Sequence, residues 1–143
     1  MKKSAATMVV MLFTTLTFAQ KMQEKNIPVN VKSSFQKKYP TAKEVKWDKE
    51  GEKYEASFEL NKTDHSVLMD AQGNINETEV EIELNQLPKG ILEYVKTHYA
   101  GKKAKEGAKI TDAKGIVTYE VETKGMDLIF DSNGKFIKEL KDN

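Results

Sequence analysis

The chain contains no cysteine, which excludes disulfides, thiolate zinc sites and cysteine nucleophiles. It has only two histidines, His65 and His98, and no HExxH, so it offers little for zinc. Neither histidine has a nucleophile at a diagnostic spacing. No catalytic residue, metal-ligand set or cofactor motif is assigned, and a non-enzymatic role is expected. An excess of one charge is also missing: 23 basic residues face 22 acidic ones. There is no basic-aromatic ladder, so nucleic acid is not expected as a partner. Long apolar runs are absent too. The uncharged stretch from Ala5 to Leu16 is shorter than the ~20 residues needed to span a bilayer.

That stretch follows Lys2-Lys3 and leads to Thr17-Phe18-Ala19, the pattern of a secretory signal peptide cleaved after Ala19. No cysteine follows it, so a lipoprotein anchor is not available. The expectation is a periplasmic or secreted protein with no membrane insertion after cleavage. Removing Lys2 and Lys3 leaves 21 basic against 22 acidic residues. With 38% hydrophobic and 31% charged residues, the 143-residue chain can build a modest core in one domain or two very small ones.

What is present is a set of alternating strands. Residues 20–26 are short and polar and read as a flexible lead-in. Ile27-Pro28 opens a helix whose stripe is Val31, Phe35 and Tyr39, ended by Pro40. Strands follow at Ala42–Trp47, Lys53–Leu60, Ser66–Asp70 and Asn76–Ile82. In the second of these, Tyr54, Ala56, Phe58 and Leu60 alternate with Glu55, Ser57 and Glu59. Asn85 can cap a second helix, opened by Leu87-Pro88 and carrying Ile91, Val95 and Tyr99. Lys102 to Lys109 reads as a connector. Strands then follow at Lys109–Asp112 (weak), Ile116–Glu122, Met126–Asp131 and Lys135–Leu140, with a two-residue turn at Lys124-Gly125.

The two halves match. Pro28, Val31, Phe35 and Tyr39 align with Pro88, Ile91, Val95 and Tyr99 at an offset of 60. Asp70-x-x-Gly73 aligns with Asp131-x-x-Gly134 at 61, each read as a type I turn. The expected fold is α+β: two tandem helix-plus-four-strand antiparallel repeats, residues 27–84 and 85–143, forming one continuous sheet with both helices on one face.

On the outward positions an acidic row stands out: Glu77, Glu79, Glu81 and Glu83, spaced ~6.5–7 Å apart along one face. Glu55, Glu59, Glu120 and Glu122 are expected to share it. The plain reading is the solvated side of a sheet buried on one face. The functional reading is a docking surface for a basic partner. Weak calcium binding fits less well, because calcium needs about six to eight converging oxygens and a flat row does not supply them. Trp47 shares parity with Val45, which favours the core. On the open face it would be a binding anchor.

The residues Ile27-Pro28, Tyr39-Pro40, Val45-Lys46-Trp47, Tyr54-Glu55-Ala56-Ser57-Phe58 and Asp70-Ala71-Gln72-Gly73 together resemble the PepSY-like family, also called β-lactamase-inhibitor-like. The second half departs from the pattern: Ala100 stands where Pro40 is, no tryptophan precedes Tyr119, and Thr123 replaces the phenylalanine. The resemblance implies an exported tandem α+β module, related in fold to inhibitors that dock a concave sheet onto an enzyme. The expected partner is an exported protein or peptide bound through the open sheet face, with Glu77, Glu79, Glu81, Glu55, Glu59 and Trp47 as candidate binding residues. The alternative is an inhibitor of an exported hydrolase of the peptidase or β-lactamase type.

Overall fold

A computed structural model describes residues 20–141. The signal sequence expected at 1–19 lies outside the described residues. Nine antiparallel strands form a single open sheet in sequence order: β1 (Gln20–Met22), β2 (Lys43–Glu50), β3 (Lys53–Leu60), β4 (Thr63–Met69), β5 (Ile75–Ile82), β6 (Glu106–Asp112), β7 (Val117–Thr123), β8 (Met126–Asp131) and β9 (Phe136–Lys141). Two helices accompany it, α1 (Val29–Lys38) and α2 (Ile91–His98). Among the described residues, no helix is long and apolar enough to cross a membrane.

Short hairpins explain the sequential strand order. Leu60 pairs with Thr63 across Asn61-Lys62, and both turn residues have positive φ (54° and 65°), the geometry that matches strand twist. Three Asp-x-x-Gly turns repeat one construction. The carboxylates of Asp70, Asp112 and Asp131 each accept two backbone N–H bonds at 2.8–2.9 Å, and Gly73, Gly115 and Gly134 each donate back to the aspartate carbonyl at 3.0 Å. The Asn74 side-chain amide, donating to the Asp70 carboxyl at 2.9 Å, and then these backbone bonds hold that carboxyl below its ordinary pKa.

Each helix roofs its own apolar cluster. Val31 and Phe35 of α1 meet Trp47, Ala56, Phe58, Val67 and Met69. Ile91 and Val95 of α2 meet Leu87, Val121, Leu128 and Phe130. Gly73 lies so close beneath α1 that a Cβ there would sit 2.7 Å from the Asn30 carbonyl oxygen, and Ser34 Oγ donates to the Gly73 carbonyl at 2.6 Å. Gly134 lies against the entry to α2, where a Cβ would meet the Lys89 carbonyl oxygen at 3.3 Å.

Several boundaries differ from the sequence reading. Residues 20–26 are not a flexible lead-in. Gln20–Met22 pairs with Trp47–Lys49 on the edge of β2, and Met22 packs on the first cluster. A polar stretch gains order here because the edge of β2 would otherwise leave backbone groups unpaired. Pro28 is the N-cap of α1 rather than its first residue. The second helix begins later than Pro88 implies. Glu83 and Gln86 close a capping box on a separate 3₁₀ turn (Leu84–Gln86), and Gly90, with φ of 97°, precedes the start at Ile91. Strand β6 begins at Glu106, inside the expected connector.

Candidate functional site

Strand alternation puts carboxylates on the sheet positions opposite the apolar clusters. Glu55 alternates with Ala56, Glu120 with Val121, and Asp127 with Leu128. The pairing register then groups them. Glu55 faces Leu68, which faces Glu77 on β5, Ser66 faces Glu79, and Glu59 faces Asp64, whose carboxyl lies near enough to act on Glu81. Glu81 faces Ala108, which faces Glu120. Directly paired residues share a face, so Glu55, Glu59, Glu77, Glu79, Glu81 and Glu120 lie together as expected. Glu83 does not join them, because it caps the 3₁₀ turn beyond the end of β5.

These acids are not a solvated fringe. Glu55 is 2% exposed, Glu79 4%, Glu120 2% and Glu77 8%, while Glu59 is half-buried and Glu81 exposed. The plain expectation of a water-facing row therefore fails at its centre. The face also carries Leu68, Ile110 and Ile129, all buried, so the carboxylates are packed among apolar side chains.

Beside them opens a cavity of about 500 Å³, whose lining runs from Lys21 on β1 to Glu122 on β7. Ser57, Ser66, Glu79, Ala108 and Glu120 contribute from the middle strands, and Glu59, Asp64, Glu81, Glu106 and Glu122 lie around them. Among the described residues lining it, ten are acidic and only Lys21 and Lys46 are lysines, so ionisation of the lining gives the cavity a negative potential. At its β2 margin the register slips between Lys43 and Lys46, and Glu44 adopts a φ of 52°. A bulge of this kind re-aims the side chains at the cavity edge.

Burial and mutual repulsion raise the carboxyl pKa values. The Glu55 carboxyl is pushed up to about 8 by desolvation first, then by the negative charge of Glu50. Glu79 also reaches about 8, by desolvation and then by Glu55, Glu77 and Asp127. Glu77 reaches about 7, because Lys53 and Lys138 partly offset its burial. Glu120 is raised by burial and by Glu79 and Asp127. Among the described residues, Glu55 Oε1, Glu77 Oε1, Glu79 Oε2 and Glu120 Oε2 are buried without a hydrogen-bond partner. Unpartnered buried acceptors are costly, so this face holds unmet capacity for donors.

Trp47 borders the cavity but turns its ring away from it. Its ring is in the first apolar cluster, 5.2 Å edge-on from Phe35, and it is 6% exposed, so it is core rather than an anchor on the acidic face. His65 stacks on Phe58 and His98 on Tyr94. Among the described residues, no three acidic or histidine side chains are grouped so as to hold a metal ion. Sequence reading missed Asp48 and Asp127, which are 4% and 7% exposed, and the cavity-lining Glu106. Asp48 read as a turn and Glu106 as a connector. The signal for Asp127 was available, since it holds the opposite parity to Leu128 in β8.

The fold recurs in solved structures. A protein from Bacteroides eggerthii described as periplasmic superimposes with a TM-score of 0.70 at 16% identity, covering 80% of this chain and 88% of its own. A BLIP-like protein from Bacteroides fragilis gives 0.62 at 23% identity, covering 80% and 86%. At such identities the likeness is one of fold. No curated protein matches the chain. The family model described as PepSY-like and β-lactamase-inhibitor-like matches twice, over residues 16–77 and 63–138. Those two matches take in both helices and nearly all of the sheet, and the chain belongs to the PepSY-like, β-lactamase-inhibitor-like family.

Proposed function

We propose that this chain is a non-enzymatic, exported interaction module that binds a protein or peptide through the sheet face bearing the acidic cavity. The observation that carries this reading is a solvent-open cavity whose walls combine buried, unpartnered carboxylates with a large excess of negative charge. A fold under selection for stability alone has no use for that combination, since replacing such groups by apolar ones is commonly neutral or favourable.

The architecture fits a docking role. The register from Val67 through Thr78 and Thr111 to Val117, and from Ile82 through Gly107 to Val121, supports a reading in which the clusters under α1 and α2 share one side of the sheet. On that reading the chain is two tandem repeats whose helices cover one face and leave the other free. The recurring approach of Gly73 to α1 and of Gly134 to the entry of α2 supports it. The described periplasmic relative and the leader-like N-terminus support export.

Capture from periplasmic extract tests the reading. The wild-type protein is expected to retain a partner, and a variant with Glu59, Glu81 and Glu122 changed to glutamine is expected to lose it. Equal capture by both would reject the face. A narrower reading, inhibition of an exported hydrolase of the peptidase or β-lactamase type, draws on the shared fold with the BLIP-like protein. It predicts loss of hydrolase activity in that extract on adding the protein.

A further inference from the structure

We infer that the cavity is a receptor for an arginine-bearing extended peptide segment, with one guanidinium seated against Glu79 and Glu120 and flanking basic residues held by the outer carboxylates. This rests on the docking reading above and adds the chemistry of the ligand.

Three observations point to it. First, Glu79 and Glu120 are 4% and 2% exposed, both line the cavity, and each has a buried oxygen without a partner just behind its wall. These are acceptors waiting for donors, and cationic donors are favoured because the nearest charges are themselves carboxylates. Second, the donor set must reach two carboxylates at once from inside a low-dielectric recess. A guanidinium has five N–H donors in a planar fork and is more weakly hydrated than an ammonium, so it satisfies both acceptors at lower desolvation cost. Third, the lining runs from β1 to β7. Six interstrand gaps of ~4.8 Å make that about 29 Å, the reach of roughly eight or nine extended residues. A single small cation would occupy one part of such a trough. A metal ion fits poorly, since no compact group of ligating side chains is present among the described residues.

Binding is linked to protons. Around Glu79 and Glu120 stand Glu55 from β3, Ser66 from β4, Glu77 from β5, Glu122 from β7 and Asp127 from β8. Farther out, Glu50, Lys53, Asp112 and Lys138 face Glu77, and Lys21 and Lys46 face Asp48. An entering guanidinium favours the ionised form of the nearest carboxyls, so at neutral pH a carboxyl proton passes to buffer as the ion pair forms.

The test is titration calorimetry of the purified protein at pH 7 with an alternating arginine–serine nonapeptide, its lysine version and its citrulline version. Spermidine and calcium chloride alone serve as small-cation probes. The arginine peptide is expected to bind at least tenfold tighter than the citrulline peptide and tighter than the lysine peptide. It should also release a proton, read from the difference between buffers of unlike ionisation enthalpy. Glu79→Gln and Glu120→Gln should each weaken binding tenfold or more and diminish proton release, with folding verified by thermal melts. Glu81→Gln, at an exposed position, supplies a second variant with a smaller loss. Equal binding of the citrulline peptide, tighter binding of spermidine or calcium, or no arginine-peptide binding by the folded protein would each overturn the inference. If the arginine peptide fails while the triple glutamine variant still loses a partner captured by wild type, the ligand chemistry is wrong and the docking face stands. If capture is also unaffected, the docking reading fails with it.

Discussion

Raising the pH from 5.5 to 8.5 should destabilise this protein. Glu55 and Glu79 have folded-state pKa values of about 8 against an ordinary 4.5. Between those values the folded chain holds protons that the unfolded chain has released, so stability is full below about 4.5 and is lost as pH rises towards 8. Each such proton gives a slope of about 1.4 kcal/mol per pH unit. Counting only one proton for a mutually repelling pair, the loss over two pH units is about 2.7 kcal/mol, a large part of a marginal stability of roughly 5–15 kcal/mol. For a chain of this size that is a fall in Tm of about 10 °C. His65 works in the opposite sense. Burial lowers its pKa, so its contribution grows with pH, but that growth is complete above its ordinary value of 6.5. The window from 7 to 8.5 therefore reports the carboxyls. Thermal melts at constant ionic strength measure the profile, with Glu79→Gln as the variant that cannot ionise. It should melt higher than wild type at pH 8 and show a slope shallower by about one proton. A profile that is flat or rising above pH 7, or a wild-type slope in Glu79→Gln, would refute the reasoning.

Two other outcomes are expected. Alanine at Gly73, Gly134 and Gly115 should destabilise in that order. All three have φ near 80–85°, but the new Cβ would meet backbone oxygen at 2.7 Å, at 3.3 Å and nothing within 4 Å respectively. Denaturant melts should show about 2–4 kcal/mol for Gly73→Ala, combining strain and clash, and about 1 kcal/mol for Gly115→Ala from strain alone. N-terminal sequencing of protein recovered from the periplasm should begin at or near Gln20; an intact Met1 there would contradict export.

Much of the fold could be read from side-chain alternation. Strands β3 and β8 lie where their patterns place them, and the face shared by Glu55, Glu77 and Glu81 follows from a period of two. What alternation cannot convey is depth. Glu79 and Glu81 have the same parity on the same strand, yet one is buried and the other exposed. Their surroundings come partly from strands distant in sequence: Glu79 faces Ile110 on β6, whereas Glu81 faces the smaller Ala108, and Asp127 acts on Glu79 from β8. Parity erred where the backbone departs from a plain strand. The bulge around Glu44 and the capping box at Glu83 each end the simple alternation. Trp47 is core through its contact with Phe35, but Val45, whose shared parity favoured that reading, is 37% exposed at the cavity edge beyond the bulge.

The most direct measurement is site-specific photo-crosslinking in the producing cell, with a photoreactive residue placed at Glu59 or Glu81 on the cavity side, or at Val29 or Leu92 on the helices. The helix positions are 73% and 40% exposed, so either pair can report a contact. Adducts to one partner from Glu59 and Glu81, with none from Val29 and Leu92, are the predicted result. Adducts from the helix positions and none from the cavity side would contradict the assignment of the acidic sheet face as the binding surface.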